Sequence, residues 1–379
     1  MTNTVSFPGL GLEFTVNRVA FSIGPLTITW YGLLIAAGIL LAMCFAFYQC
    51  KKFGIIADKL MDAALGGVVG GIIGARLYYV AFRWEDYRDN LANIFKTWEG
   101  GMAIYGGLIG GLLVGLLVAK LRHIRLLPAM DVTVMGFLIG QSVGRWGNFV
   151  NIEAFGGNTD LPWGMTSPVI TSYLREHLSD LTALGMNIDP TAPVHPTFLY
   201  ESIWCALGFL LLFLYSKHRR FDGEIFLLYS AWYGLGRFFI EGLRTDSLLI
   251  GQIRVSQLLA WLLALAAAIT WIVVTVRVRG AHDPEYLKLY AQTDAFAKEV
   301  ADYEEKLNSK SKKSKKDRKS GEPERAAAEE ADGGVEVVEI GNFEGEAAPE
   351  ETVDDGTRLA GDDPVDSETM EEHADGEDH

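Results

Sequence analysis

The chain has 379 residues, a formal net charge of −15 and a hydrophobic content of 49%, but neither the charge nor the apolar residues are spread evenly. Residues 321–379 hold 22 acidic residues and two arginines, so the rest of the chain is net positive and the acidic balance belongs to this tail alone. The long apolar runs before the tail exclude a large soluble globule, because they leave too little polar surface to solvate one.

Seven apolar runs have the length, or nearly the length, that a helix needs to cross a bilayer. They lie at 28–50, 61–82, 101–119, 129–144, 197–216, 224–243 and 255–277. The fourth run is short for a full crossing and leads directly into the polar segment GRWGNFVNIEAFG at 144–156. The sequence therefore predicts an all-α, polytopic membrane protein with about seven transmembrane helices.

Basic residues predict the orientation of these helices. Short and densely basic connections follow the first, third and fifth runs, at 51–59, 120–125 and 217–220. The alternate connections are longer or mix basic with acidic residues. Since basic loops stay in the cytoplasm, the N-terminus is expected outside, the C-terminus inside, and 144–156 at the outer end of the fourth run. The N-terminus lacks a secretory cleavage signal, so the first run is expected to be retained.

Composition divides the chain into three regions. A membrane domain is predicted over 1–280, a juxtamembrane region over 281–320 and a disordered acidic cytoplasmic tail over 321–379. Residues 283–309 are expected to form a short amphipathic helix, and the basic block after it is expected to lie near anionic head groups. The tail is expected to have no catalytic role.

Glycines recur at four-residue spacing in the second and third runs, which contain LGGVVGGIIGARLYYV and GGMAIYGGLIGGLLVG. Small residues at that spacing let transmembrane backbones approach closely, so tight helix packing is predicted. A nucleotide-binding loop is excluded, because no Lys-Ser/Thr follows these glycines and no strand precedes them. The glycines concerned are Gly66, Gly70, Gly74, Gly106, Gly110 and Gly115.

Charged side chains gather at the predicted outer ends of the fourth and sixth runs. Arg237 and Glu241 are four residues apart on one helix and are able to neutralise each other. Arg145, Arg237 and Arg244 nevertheless outnumber the carboxylates expected nearby, and the planar guanidinium fork suits phosphate oxygens. The residues alone therefore predict an outward-facing anion site, at the depth where an outer-leaflet lipid phosphate lies.

Five segments resemble the signature of the bacterial prolipoprotein diacylglyceryl transferases, in that family's order. They are WYG at 30–32, GGMAIYGGLIGG at 100–111, GRWGNFVNIEAFG at 144–156, HPTFLYE at 195–201 and YGLGRFFIEGLRTD at 233–246. The resemblance spans nearly the whole membrane body and leaves out the acidic tail.

This resemblance implies a reaction, the first step of lipoprotein maturation. The diacylglyceryl group of phosphatidylglycerol moves to the lipobox cysteine thiol of a preprolipoprotein, a thioether forms and glycerol 1-phosphate leaves. A multi-pass protein of the bacterial cytoplasmic membrane, in contact with membrane lipids, is implied. The resemblance implies no metal, no soluble cofactor and no nucleic-acid partner.

The resemblance also assigns roles to residues. Arg145 and Arg237 match positions regarded as essential and are expected to bind the donor phosphate, with Arg244 assisting. The other expected substrate-site residues orient the head group, permit a close approach, hydrogen-bond the donor or the thiol, or support the outer loop: Asn148, Asn151, Glu153, Gly156, Tyr31, Tyr233, His195 and Glu201.

Two residues depart from the family pattern. Tyr105 stands where many members have a histidine that is a candidate base for the thiol, and a phenol with pKa about 10 is a poor base near neutral pH. Either the arginines alone lower the pKa of the thiol or another group takes its proton, and Tyr105 is kept as a catalytic candidate. Phe198 stands where a polar residue often follows His-Pro, which argues against direct substrate binding by that turn.

Two other functions stay open at this point. A transporter for an anionic solute would also place arginines in a helix bundle, but it would be expected to contain internal repeats, and none is convincing here. An enzyme acting on another lipid phosphate would be expected to carry a DxxD-like cluster of metal-binding acids, which the membrane body lacks.

Overall fold

The computed structural model describes residues 2–309 apart from 25, 98–99, 184, 246–248, 251–252, 282 and 284. The acidic tail at 321–379 lies outside the described residues, so its expected disorder stays a prediction. The described chain is mostly helical and contains three antiparallel sheets of two strands each.

The helices carry most of the chain. They are α1 (Trp30–Gln49), α2 (Ala57–Phe82), α3 (Ile104–Leu121), α4 (Leu126–Asn151), α5 (Pro168–Glu176), α6 (Leu178–Ala183), α7 (Thr197–Tyr215), α8 (Glu224–Leu243), α9 (Val255–Gly280) and α10 (294–309). The paired strands are β1 (Thr2–Phe7) with β2 (Leu12–Asn17), β3 (Val19–Ile23) with β4 (Leu26–Thr29), and β5 (Leu249–Ile250) with β6 (Ile253–Arg254).

Six helices of the described chain are long and apolar enough to cross a membrane, which confirms a polytopic membrane protein. Their spans are Trp30–Phe53, Ala57–Phe82, Ile104–Leu121, Leu126–Asn151, Thr197–His218 and Val255–Gly280. Large apolar side chains such as Leu40 and Leu108 stand on the outer surface of this bundle, as lipid-facing residues do. The remaining predicted run is helical too, as α8, but it carries Glu224, Arg237 and Glu241.

The expected length of the fourth run is wrong. Helix α4 does not end near residue 144. It is 26 residues long and extends from Leu126 to Asn151. Its last two turns therefore contain Arg145, Asn148 and Asn151, which the sequence analysis placed beyond the apolar run. The helix ends at Ile152, a buried residue with φ of 54°, a left-handed conformation that β-branched residues rarely adopt.

The all-α expectation is also incomplete, because residues 2–29 form two β-hairpins. Backbone hydrogen bonds of 2.9 and 2.8 Å tie Ser6 to Thr166, in the segment between α4 and α7. Val5 of the first hairpin packs in one buried cluster with Ile152, Leu174 and Val194. A small folded cap thus covers the bundle end at which α4 finishes and α7 begins.

The glycines of α2 and α3 do bring the two helices together, as predicted. A Cβ atom on Gly74 would lie 2.4 Å from the carbonyl oxygen of Gly106, and one on Gly70 would lie 2.5 Å from the side chain of Val114. Only glycine permits backbones to pass at this distance.

We expect Gly110→Ala to lower the stability of the protein by about 1–3 kcal/mol, measured by denaturant unfolding in detergent. The new Cβ would lie 2.3 Å from the carbonyl oxygen of Gly70, so the helices would have to separate. Gly115→Ala is the matched control, because its Cβ would lie 3.6 Å from the nearest atom, the carbonyl oxygen of Ala63. Equal stability of the two variants would contradict this close packing.

Candidate active site

Three helices bring charged side chains to the capped end of the bundle. Helix α4 contributes its last two turns, α7 its second turn, and α8 the face that carries Tyr233, Arg237 and Glu241 at four-residue spacing. At their centre lies Glu201 of α7, which is 2% exposed.

Glu201 binds two arginines with its two carboxylate oxygens. Its Oε1 lies 2.6 Å from Nη2 of Arg145, and its Oε2 lies 3.2 Å from Nη1 of Arg237. The hydroxyl of Tyr233 also donates to Oε1, at 3.3 Å. A buried carboxylate is costly unless it is paired and hydrogen-bonded, so these contacts fix α4, α7 and α8 relative to one another.

A second buried carboxylate, that of Glu241, pairs with the other terminal nitrogen of Arg237. Nη2 of Arg237 donates to Oε2 of Glu241, one helical turn along α8, as the sequence spacing predicted. The other oxygen of Glu241 accepts from the hydroxyl of Ser256 at 3.0 Å, and its backbone carbonyl accepts from Arg254 at 2.5 Å. Helix α9 and the residue before it thereby lock the rotamer of Glu241.

On the other side, Arg145 leads into a network of amides. Its Nη1 donates to Asn148 at 3.2 Å, and the amide nitrogens of Asn148 and Asn151 donate to Oε1 of Glu153 at 2.9 and 3.3 Å. Arg18, between the two hairpins, donates to the backbone carbonyl of Asn151 at 2.8 Å and so satisfies the end of α4.

The described residues of the cluster carry a net positive charge. Glu201 and Glu241 balance Arg145 and Arg237, a closer balance than the sequence indicated. Among the described residues, three further arginines and one further carboxylate lie around this pair: Arg18, Arg244, Arg254 and Glu153. A polar ligand with negative charge therefore finds a favourable potential here.

The two central arginines still have hydrogen-bonding capacity. A guanidinium has five N–H donors, and the described residues engage two nitrogens in each of Arg145 and Arg237. Their side chains are 22% and 20% exposed, so a ligand can reach them from outside the bundle. The site thus presents two oriented, partly unsatisfied guanidiniums side by side.

Gly156 and His195 join the loop beyond α4 to the site. The backbone N–H of Gly156 donates to the carbonyl of His195 at 2.9 Å, and Gly156 also forms a β-bridge with Arg244 at the end of α8. A Cβ at position 156 would lie 2.8 Å from that of His195, so the loop packs closely at this glycine.

The ring of His195 points to the loop rather than to the arginines. Its Nδ1 lies 3.1 Å from the hydroxyl of Tyr200, which accepts from Trp163 at 2.8 Å. Partial burial lowers the pKa of His195, which favours the neutral form of the ring.

The tyrosines expected at the site fall into two groups. Tyr233 contacts Glu201. The ring of Tyr31 packs on Gly147, in the turn of α4 that carries Arg145, and a Cβ at position 147 would lie 2.7 Å from that ring. Tyr105 lies at the first turn of α3, is 65% exposed and takes part in none of the hydrogen bonds that join the described cluster.

Two further residues have structural positions. Phe198 is buried and packs on Trp146 and Phe149, with ring centroids 5.6 and 4.9 Å away, so it supports the face of α4 that carries Arg145. Arg76 of α2 is buried and donates to five backbone carbonyls of residues 93–101, and it thereby shapes the segment that leads to Tyr105.

Sequence reasoning underestimated Glu201 and missed Arg18, Arg254 and Ser256. Glu201 was assigned to loop support, although a carboxylate in an apolar run needs a cation nearby and this signal was available. Arg18 and Arg254 reach the site only through hairpin and loop geometry, which no sequence pattern indicates.

The fold and site define a multi-pass membrane protein with a buried, carboxylate-bridged arginine pair. A family model described as prolipoprotein diacylglyceryl transferase matches residues 18–273. A relative from Clostridioides difficile (strain 630) is 39% identical over 245 residues, covering 65% of this chain and 90% of its own length. A second, from Staphylococcus aureus (strain bovine RF122 / ET3-1), is 43% identical over 259 residues, covering 68% and 88%. Both are named phosphatidylglycerol–prolipoprotein diacylglyceryl transferase.

This chain belongs to the prolipoprotein diacylglyceryl transferase family. The match covers α1, α4, α7 and α8 of the candidate site in full, and α9 as far as residue 273. The first hairpin and the segment after α9 lie outside it.

We expect Glu201→Gln to lower the free energy of unfolding by about 3 kcal/mol, because a neutral amide leaves two guanidiniums close together without their shared counter-charge. Chemical denaturation in detergent measures the change. Glu153→Gln is the matched control and should cost less than about 1 kcal/mol, since Glu153 is exposed and accepts only amide hydrogen bonds. A Glu201 variant as stable as this control would show that the bridge does not hold the helices.

Proposed function

We propose that this protein transfers the diacylglyceryl group of phosphatidylglycerol to the lipobox cysteine thiol of prolipoproteins. The observation that carries the proposal is the arginine pair bridged by Glu201, within a chain whose relatives are named for this reaction. Arg145 and Arg237 bind the phosphate of the lipid, and Arg244 adds positive charge at the rim.

The reaction makes clear demands on the site. The cysteine sulfur attacks the glycerol carbon that carries the phosphodiester oxygen, the C–S bond forms, the C–O bond breaks, and the electron pair stays on the oxygen of the departing glycerol 1-phosphate. Negative charge therefore grows on the phosphate as the bond breaks. Guanidiniums already oriented by buried carboxylates stabilise that charge without reorganising, which is the most effective form of electrostatic catalysis.

The thiol must also lose its proton, because the thiolate is the nucleophile. The positive potential of the site favours the thiolate and lowers the pKa of a thiol held beside it. Tyr233, Asn148 and Asn151 lie within the same network and orient the head group. Glu153 holds the two amides in place, and Tyr31 forms the wall next to Gly147.

The proposed topology has seven crossings, with α8 as the seventh helix, in the bacterial cytoplasmic membrane. A helix with charged residues is costly in a bilayer when those charges face lipid. In α8, Glu224, Arg237 and Glu241 all have partners in the described bundle. The capped end that holds the arginines faces outward. The opposite end carries the basic connections at 51–59, 120–125 and 217–220 and faces the cytoplasm, in agreement with the positive-inside rule.

A transfer assay tests the proposal against its rivals. The full-length protein in detergent is mixed with phosphatidylglycerol labelled in its acyl chains and a lipobox peptide, and thioether-linked product is scored. A peptide with serine in place of the cysteine is the control. Absence of thiol-dependent transfer would overturn the proposal and favour an anion transporter or an enzyme for another lipid phosphate.

We expect Arg145→Ala and Arg237→Ala each to reduce transfer more than about 100-fold while the protein still inserts into the membrane. The conservative Arg145→Lys variant should recover only part of the rate, because an ammonium lacks the planar donor fork. Arg175→Ala is the control, since Arg175 is exposed in α5. Near-normal transfer by either purified alanine variant would remove the phosphate assignment.

We expect Tyr105→Phe to keep its transfer rate, because Tyr105 is exposed at the start of α3 and stands outside the described arginine network. Tyr233→Phe is the comparison and should be slower, since its hydroxyl donates to Glu201. A folded Tyr105→Phe variant without activity would instead assign an obligatory proton transfer to the phenol.

A further inference from the structure

A second polar cavity lies at the opposite end of the bundle from the arginine pair. Its volume is about 250 Å³, far more than the roughly 15 Å³ that one water molecule needs. Gln49 and Lys52 line it from the end of α1, Ser216 and Lys217 from the end of α7, and Arg219 from the connection to α8. Helix α1 is 20 residues long and starts beside the candidate active site, so about 30 Å separates the two sites.

Two buried side chains at this cavity have N–H groups without a hydrogen-bond acceptor in the described part of the chain. Gln49 is 2% exposed and its Nε2 has no hydrogen-bond partner among the described residues; the same holds for Nη1 of Arg219, whose side chain is 4% exposed. A buried N–H without an acceptor costs about 1–3 kcal/mol. Both side chains line the one cavity, so a single acceptor-rich ligand can satisfy both.

The guanidinium of Arg219 is held in place. Its Nη2 donates to the backbone carbonyl of Lys52 at 2.7 Å, and its planar face lies 3.7 Å from the ring centroid of Phe53. The nearest carboxylate is that of Asp222, 3.9 Å from Nη2, and it accepts the backbone N–H of Tyr290 without lining the cavity. Arg219 is therefore fixed by backbone and ring contacts, which leave Nη1 available.

The charge of the lining favours an anion. Lys52, Lys217 and Arg219 contribute three positive charges, and the described residues of the lining include no acidic side chain. The C-terminal ends of α1 and α7 oppose this with about half a negative charge each. Asp222, which pairs with Arg219 at 3.9 Å, offsets a further charge. The sum stays about one charge positive, which a water molecule does not neutralise.

The segment after α9 closes the cavity. Leu289, Ala291 and Gln292 form part of its lining, and this segment is anchored on three sides of the bundle. The anchors are the hydrogen bond from Tyr290 to Asp222, the stacking of Arg125 on the ring of Tyr290 at 4.0 Å, and the 2.5 Å ion pair between Lys59 and Glu299 of α10. These closing residues lie beyond the 18–273 segment that the family model matches.

We propose that this cavity is a binding site for a phosphate group, formed by Gln49, Arg219, Lys52 and Lys217 and closed by the segment 289–292. A tetrahedral phosphate has acceptor oxygens enough for both buried donors and carries the charge that the lining lacks. The phosphate comes either from a lipid head group at this membrane face or from a soluble phosphate compound, and the two sources share the same recognition chemistry.

Unfolding of the full-length protein in neutral detergent tests the proposal, with inorganic phosphate titrated at constant ionic strength against chloride. We expect phosphate to stabilise the protein, and Gln49→Leu and Lys217→Gln each to weaken the phosphate affinity about tenfold. Gln49→Leu removes an unsatisfied amide, so it should fold at least as well as the parent without phosphate. Lys51→Gln is the matched control, because Lys51 is exposed and does not line the cavity.

A second arm distinguishes the sources of the phosphate. The Arg145→Ala protein, with its active site weakened and this cavity intact, is reconstituted in phosphatidylcholine nanodiscs with or without phosphatidic acid. Stabilisation by inorganic phosphate in detergent supports a soluble ligand. Stabilisation by phosphatidic acid but not by inorganic phosphate supports a lipid head group, provided that the added Gln49→Leu substitution abolishes this stabilisation. If neither phosphate nor phosphatidic acid acts, or if Lys51→Gln responds as Gln49→Leu does, the proposal is overturned. These outcomes do not depend on the transfer assay.

Discussion

The buried carboxylate of Glu201, shared between Arg145 and Arg237, is the constraint on which the rest of the site depends. Charges within a membrane helix bundle are costly unless they are paired, and the pairing here joins three helices that are far apart in sequence. The same contact prepares the chemistry. It neutralises the arginines enough to keep them inside the bundle, yet it leaves N–H donors on both that the described residues do not engage.

Around this centre, each helix end is held by a different part of the chain. Arg18, between the two hairpins, satisfies the end of α4, and Ser256 of α9 holds Glu241. Gly156 joins the end of α8 and is itself held by His195. The opposite end of the bundle is built on similar lines. Basic residues at helix ends gather there, and the segment after α9 ties the connecting loops together.

Several elements could be predicted from the sequence for simple reasons. The apolar runs gave the spans within a few residues, because a membrane helix must be about 20 residues long and apolar. The four-residue glycine spacing indicated the α2–α3 contact, since that spacing places small residues on one helix face. The end of α4 was misplaced because polar residues after residue 144 resemble a loop, although their partners on α7 and α8 allow the helix to continue.

The sequence by itself determined the class of protein, the run of spans and the family motifs that contain Arg145 and Arg237, because length, hydropathy and motif order are local properties of the chain. Tertiary structure alone decided that Glu201 lies between these arginines, that the ring of His195 turns to Tyr200, and that Gln49 meets Arg219 at a second cavity. Each of these depends on which face of one helix meets which face of another. That choice is made by close packing and by the pairing of buried charge over the whole bundle.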